Sequence, residues 1–476
     1  MISRLIKGLK ARKSIRILSV LMIAGALYNP AYAEATDGES IGQVSEYTLD
    51  NGFKVLVKPD HRAPVVVSQV WYRIGSSFER TGHTGVSHVL EHMMFKGTDR
   101  FGPGELSNLV ARYGGNENAF TGRDYTGYYQ MWEKTRLPIS LAIEANRMTM
   151  LNMDAEEFEK EKRVVMEERR MRTDDSPIGT AYERLFAAAF LSSPYQNPVI
   201  GWRHDLKNLS LEYTKKWYEK WYSPNNATLV VVGDVDPDEV HQLAIQHFGD
   251  LKAKTLPELP DYTEQESKGE KRITIKEKVK VPQLMMGFLT PSIKTAESIE
   301  DTYALAMLAY VLDGGLSARF ETNLVRGQQV AASIGTGYDP IARGDVLFSI
   351  MSAPTQGTEL DQLESAIFEQ IQKIKETPPT ADELQRALVQ LKAGEVFGED
   401  SVFNQADTLG RLAVIDEDWR LADEWIGYLE KVTPEDIQRV AQKYIDQDRM
   451  TLVSLVPEDE APETAQAQSQ QQGAVQ

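Results

Sequence analysis

The stretch Gly85-Val86-Ser87-His88-Val89-Leu90-Glu91-His92-Met93-Met94-Phe95 constrains the fold more than any other part of the chain. Val89, Leu90, Met93, Met94 and Phe95 are apolar, so the segment reads as a buried helix. On a helix, residues i, i+3 and i+4 share a face, which puts His88, Glu91 and His92 on one side. Polar groups buried without partners are costly, so this face needs something to bind. Two imidazoles one turn apart suit Zn²⁺, which takes nitrogen ligands at about 2.0–2.1 Å. A carboxylate beside them is placed to take a proton from a metal-bound water, whose pKa zinc lowers to about 7. The clustering is itself a signal: of seven His in the chain, His83, His88 and His92 fall within ten residues. His83 lies off the shared face and reads as a loop residue.

The N-terminus reads as a leader rather than as fold. Residues 1–16 carry six cations (Arg4, Lys7, Lys10, Arg12, Lys13, Arg16) and no acid, the apolar run Ile17–Leu27 follows, and Asn29-Pro30-Ala31-Tyr32-Ala33 supplies an Ala-x-Ala end. This is the pattern of a secretory signal peptide cleaved after Ala33, and the run is too short to span a bilayer comfortably. Losing those six cations takes the net charge from −18 to −24. So acidic a chain carries no electrostatic footprint for nucleic acid. The absence of cysteine excludes disulfides, thiolate zinc ligands, a Cys nucleophile and lipidation through a leader cysteine. The expected location is exported and periplasmic, with no membrane span in the mature chain.

A length of 476 residues implies two or three domains. Glu46–Val57 reads as two strands around Asn51-Gly52, and Pro64–Arg73 as a third, rich in β-branched residues. The metal helix closes at Lys96-Gly97. A helix around Leu106–Tyr113 follows, then Gly114–Thr121, then an aromatic strand over Tyr125–Trp132. Residues 138–172 read as helical, and two of their many carboxylates stand out. Glu161 and Glu168 are two turns apart on a face shared with Val164 and Val165, whereas Glu167 turns toward the polar side. A helix through Trp217 and Trp221, a buried strand Ala227–Asp234 and a helix over Pro237–Phe248 complete the first half.

The second half echoes the first. Lys220–Val230 aligns without gaps on Lys443–Val453, and Pro64–Val67 on Pro282–Met285 at an offset of 218. The same offset lays the metal helix on Leu305–Gly315, with Ala306, Ala309 and Tyr310 at the positions of His88, Glu91 and His92. The expected layout is therefore a signal peptide (1–33), a metal-bearing half (34–250), a Pro/Glu/Lys-rich linker (251–272), a homologous half without the metal residues (273–460) and a disordered Gln-rich tail (461–476).

His-x-x-Glu-His is the signature of the inverzincins, and residues 42–457 resemble the family of pitrilysin, insulin-degrading enzyme and the mitochondrial processing peptidase. The resemblance implies an α+β fold: two homologous α/β-sandwich halves, each a mixed, mostly antiparallel sheet with helices packed on it, arranged as a clamshell. The family pattern Glu-x6-Glu falls on Glu161 and Glu168. It implies Glu168 as third zinc ligand, with Glu167 as runner-up, and Glu161 as the carboxylate that orients a histidine ligand. Asn118-Ala119-Phe120-Thr121 is similar to the family's substrate strand, where a peptide adds to a sheet edge. One departure stands out. Arg326 fits the family's carbonyl-holding Arg, but Ala332 occupies the place of its Tyr, and Tyr338 lies too far along to replace it.

These readings imply a zinc metalloendopeptidase with one Zn²⁺ per chain, held by His88, His92 and Glu168, and with Glu91 as general base. The expected substrate is a peptide or unfolded polypeptide. Ala332 motivates an alternative: a metal-bearing subunit of a homo- or heterodimer, inactive without a homologous partner. A purely structural zinc site is disfavoured, because such sites usually take four protein ligands and often cysteine.

Overall fold

Alternation of apolar residues on both faces marks the central strands as covered from two sides, and two sheets are built from such strands. The computed structural model describes residues 41–258, 263–266 and 268–458; the expected leader and Gln-rich tail lie outside them. The first sheet contains β1 (Ser45–Thr48), β2 (Lys54–Pro59), β3 (Val65–Tyr72), β4 (Asn116–Thr121), β5 (Thr126–Glu133) and β6 (Ala227–Gly233), in the order β1-β2-β6-β3-β5-β4. The second contains β7 (Lys271–Glu277), β8 (Gln283–Thr290), β9 (Ala331–Gly337), β10 (Val346–Pro354) and β11 (Met450–Pro457), in the order β7-β11-β8-β10-β9. With β1 set aside, the two orders are the same. In both sheets only the first pair of this shared order, β2 with β6 and β7 with β11, runs parallel. The repeat seen in the sequence is thus a repeat of topology, and the fold is the expected mixed α/β architecture in two halves.

The inner face of the first sheet (Val55, Val66, Val70, Leu229, Val231) packs on helices that include Val86–Met93, Leu137–Thr149, Ala155–Arg169 and Pro237–Phe248. The second sheet packs likewise on Glu300–Asp313, Leu360–Glu376 and Pro434–Tyr444. The outer faces are covered by exchange. Helix Val402–Val414, from the second half, lies on Leu56, Val67, Trp71, Val230 and Val232 of the first sheet. Helix Pro177–Ala189, from the first half, lies on Met285, Leu289, Leu347, Val453 and Leu455 of the second. At the crossing with Trp71 the first of these interfaces between halves is so close that Gly410 leaves no room for a Cβ beside the indole.

Three details differ from the sequence reading. The helical span 138–172 is broken: Leu137–Thr149 ends, and Asp154 starts Ala155–Arg169 by accepting the N–H groups of Glu156 (2.8 Å) and Glu157 (3.2 Å). An Asp at such a position satisfies donors that the first turn leaves orphaned. Val164 and Val165 part company, Val165 being fully buried and Val164 half exposed. The span read as a linker is tied to the fold, since Glu264 is buried and accepts the backbone N–H groups of Leu191, Ser192 and Ser193, and β7 begins inside it at Lys271.

Candidate metal centre

The helix Val86–Met93 starts at Gly85, whose φ of +87° favours glycine and whose lack of a side chain leaves the helix without its own cap. Two buried carboxylates hold its entry instead. Glu79 accepts the N–H groups of Gly85 (2.6 Å) and Ser87 (2.7 Å). Asp205 accepts those of Gly82 (3.0 Å) and Thr84 (3.2 Å) and the Thr84 hydroxyl (2.7 Å). The helix is buried on all sides except near His92, and it packs against Ala155–Arg169.

That contact brings three ligand atoms together. Glu168 Oε2 lies 3.7 Å from His88 Nε2 and 3.5 Å from His92 Nε2. The two imidazoles meet edge to face, centroids 5.0 Å apart. A tetrahedral ion about 2.0–2.1 Å from each ligand holds its ligand atoms roughly 3.3–3.4 Å apart, so Glu168 already stands near that spacing from both imidazoles, and all three ligand atoms lie within 4.8 Å of one another. His88, His92 and Glu168 are also the one group of metal-ligating side chains found close together among the described residues. Burial, aided by the charge of His92, pushes His88 down to about 4, which keeps its imidazole neutral, the form that binds metal.

Neighbouring charges orient this group. His92 Nδ1 lies 3.2 Å from Glu161 Oε2, and Lys96 Nζ holds the other oxygen of Glu161 at 2.8 Å. Burial works against a charged His92, but Glu161 and Glu168 outweigh it and raise its pKa to about 9. Glu168 keeps its second oxygen on Arg172, at 2.7 Å. Arg172 sits in the π-turn Arg170–Asp174 that continues the glutamate helix, and such wide turns are frequent at functional sites. Glu167 faces solvent and pairs with Arg170, so the structure does not bring the runner-up ligand to the cluster. Glu91 is buried beside it and accepts the hydroxyl of Thr121; burial raises its pKa, and the Thr121 bond opposes the rise. His83, stacked on Tyr213 at 3.8 Å, stays outside.

Asn118, Ala119, Phe120 and Thr121 line the same cleft as His88, Glu91, His92 and Glu168, a cavity of about 830 Å³. They belong to β4, the outermost strand of its sheet, whose far side has no strand partner among the described residues. Every residue lining this cleft comes from the first half. Arg326 is not among them. It is exposed and held by the Leu316 carbonyl and by Glu321 at 3.3 Å, away from this cleft. Ala332 lies on β9, the corresponding edge of the second sheet, and Tyr338 donates its hydroxyl to the Pro291 carbonyl at 2.7 Å. Spacing alone gave no signal for Lys96, whose role comes from a contact between helices, whereas Arg172 stands four residues after Glu168, a spacing at which helical side chains meet.

Residues 54–202 match the insulinase family, peptidase family M16, and residues 208–391 match the peptidase M16 inactive domain. Over 456 residues the chain is 30% identical to the zinc protease PqqE of Helicobacter pylori, covering 95% of this chain and 100% of that one. The crystal structure of a protease from Helicobacter pylori superposes with a TM-score of 0.82 at 30% identity, over 87% of this chain and 100% of the other. An M16 inactive domain from Pseudomonas fluorescens shares the fold at 17% identity, with a TM-score of 0.78 over 88% of this chain and 98% of its own. With an inverted His-x-x-Glu-His helix facing Glu168 and this likeness over nearly its whole length, the chain belongs to peptidase family M16.

Proposed function

We propose that the chain is a zinc-dependent endopeptidase of peptides and unfolded polypeptide segments, exported to the periplasm by the leader at residues 1–33. One observation carries the reading: His88, His92 and Glu168 converge beside Glu91 at the end of an unpaired edge strand. Among the described residues no helix is long and apolar enough to cross a membrane.

His88 Nε2, His92 Nε2 and Glu168 Oε2 would hold the ion. Zinc bound there would polarise the scissile carbonyl and bring the pKa of a water toward about 7. The backbone of β4 offers hydrogen-bond groups to an extended chain, which supplies affinity while side chains are read loosely. Glu91 takes a proton from the attacking water and delivers it to the departing amide nitrogen. Its raised proton affinity suits a group that holds a proton between two events. Thr121 steers that carboxyl toward the strand where the substrate lies.

The test is cleavage of a quenched fluorescent peptide by purified residues 34–476, with metal content measured on the same sample. Activity should be lost to a chelator, restored by zinc, and lowered about 10²–10⁴-fold by Glu91→Gln with zinc still bound. Cleavage that survives either treatment would sink the assignment. A second reading is favoured by the cleft being lined from the first half only, with Arg326 and Ala332 elsewhere: a metal-bearing subunit that needs a homologous partner. Bound zinc without cleavage, and activity on mixing with such a partner, would support it.

A further inference from the structure

Arg123 stands where two cavities meet. It lines the metal cleft and also a neighbouring cavity of about 540 Å³ between the two halves, and Tyr182, Phe186 and Val199 are walls of both. Its guanidinium lies over the Phe186 ring, 4.1 Å from the centroid, and its Nε–H donates to the Tyr195 carbonyl at 3.3 Å. The other charged groups nearby are already engaged. Arg172 pairs with Glu168, Arg411 with Asp339, and Glu183 with Arg169. Asp124, the next residue, accepts from the Ser77 hydroxyl, the Tyr195 hydroxyl and the Arg343 N–H. Among the described residues Arg123 has no carboxylate partner, and its terminal amino groups have no protein acceptor.

We propose that Arg123 is a specificity-determining residue that binds a carboxylate on the substrate, an Asp or Glu side chain close to the scissile bond. This rests on the peptidase reading. A guanidinium is planar and presents its N–H groups as a fork that takes a carboxylate by two parallel bonds, and the Phe186 ring 4.1 Å away gives that fork an apolar support. Arg123 follows Thr121 by two residues, and at roughly 3.3 Å per residue that is within reach of a side chain one to three positions from a bond held at Glu91. The uncompensated cation therefore selects for a negative charge at one substrate position and leaves the others free.

The experiment compares matched quenched peptides carrying Glu, Gln or Lys at each of the three positions on either side of the scissile bond. The proteins are zinc-loaded wild type, Arg123→Met, which keeps an apolar stem over Phe186, and Arg123→Glu. At one position wild type should favour Glu over Gln by about tenfold in kcat/KM, carried by KM, as a charge-assisted pair predicts. Arg123→Met should erase that preference, Arg123→Glu should turn it toward Lys, and the Gln peptides should change by no more than about twofold. An equal fall for every peptide, or a Glu preference that survives both substitutions, overturns the proposal. The same peptides are titrated by fluorescence anisotropy onto Glu91→Gln protein with and without Arg123→Met. Charge-selective binding with no cleavage by wild type would bring down the peptidase reading and leave the carboxylate subsite standing.

Discussion

His92 is the most constrained side chain in the centre, with Glu168 facing one ring nitrogen and Glu161 the other. A carboxylate on the far nitrogen of a ligand imidazole fixes its tautomer and raises its basicity, and losing such a group costs about 10–100-fold in metal affinity. Glu161→Gln should therefore weaken zinc binding by that factor, read by competition with a chelator, while the fold keeps its thermal midpoint. A wild-type zinc affinity in this variant would remove Glu161 from the centre. At this scale the sequence was legible where a residue's role is set by its own helix. His88, Glu91 and His92 follow from 3.6-residue periodicity, and Glu161 and Glu168 from their two-turn spacing together with the family pattern. Lys96 and Arg123 act across elements, where spacing carries no information, while Arg172 follows Glu168 by one helical turn and its pairing could have been read from that spacing.

Elements are held by their ends as much as by their faces. Helix Ala381–Glu399 begins with a reciprocal cap, in which Thr380 accepts the Glu383 N–H at 3.2 Å and Glu383 accepts the Thr380 N–H at 2.8 Å. Arg319 adds a two-pronged contact to the same carboxylate, at 2.7 and 3.1 Å. Burial works against a charged Glu383, but Arg319 and Thr380 outweigh it and hold its pKa at about 2. A carboxyl whose folded pKa lies below its unfolded value stabilises the fold above the unfolded value, about 4.3, and loses that contribution as pH falls toward 2. After discounting for solvent screening, the contribution is about 1–2 kcal/mol. Urea midpoints at pH 7 and pH 3 should differ less for Glu383→Gln than for wild type, and an unchanged difference would refute the assignment. Most element types were readable from periodicity and turn residues. The break before Asp154 was not, because helical periodicity runs through it and a capping Asp in a carboxylate-rich stretch resembles any other.

At the scale of the molecule, the two halves are joined by the helices they exchange. Gly410 sits on Trp71 with no space for a side chain, so Gly410→Val forces that interface apart. Overpacking of this kind costs about 1–3 kcal/mol, and the loss should appear as one cooperative transition at lower denaturant, since each half covers the other's sheet. Two separate transitions, the second at the wild-type midpoint, would show the halves to be independent. The repeat itself was visible in the sequence because both halves keep the same strand order. The exchange was not, because Ala406, Leu409 and Ala413 look like any apolar stripe, and their partners Val67 and Trp71 lie hundreds of residues earlier.

That exchange also sets a timetable for the newborn chain. Trp71 and its neighbours are synthesised more than three hundred residues before the helix that shelters them, Val402–Val414. Domains ordinarily close in order of synthesis, but here the outer face of the leading half's sheet gains its cover only from a helix of the trailing half.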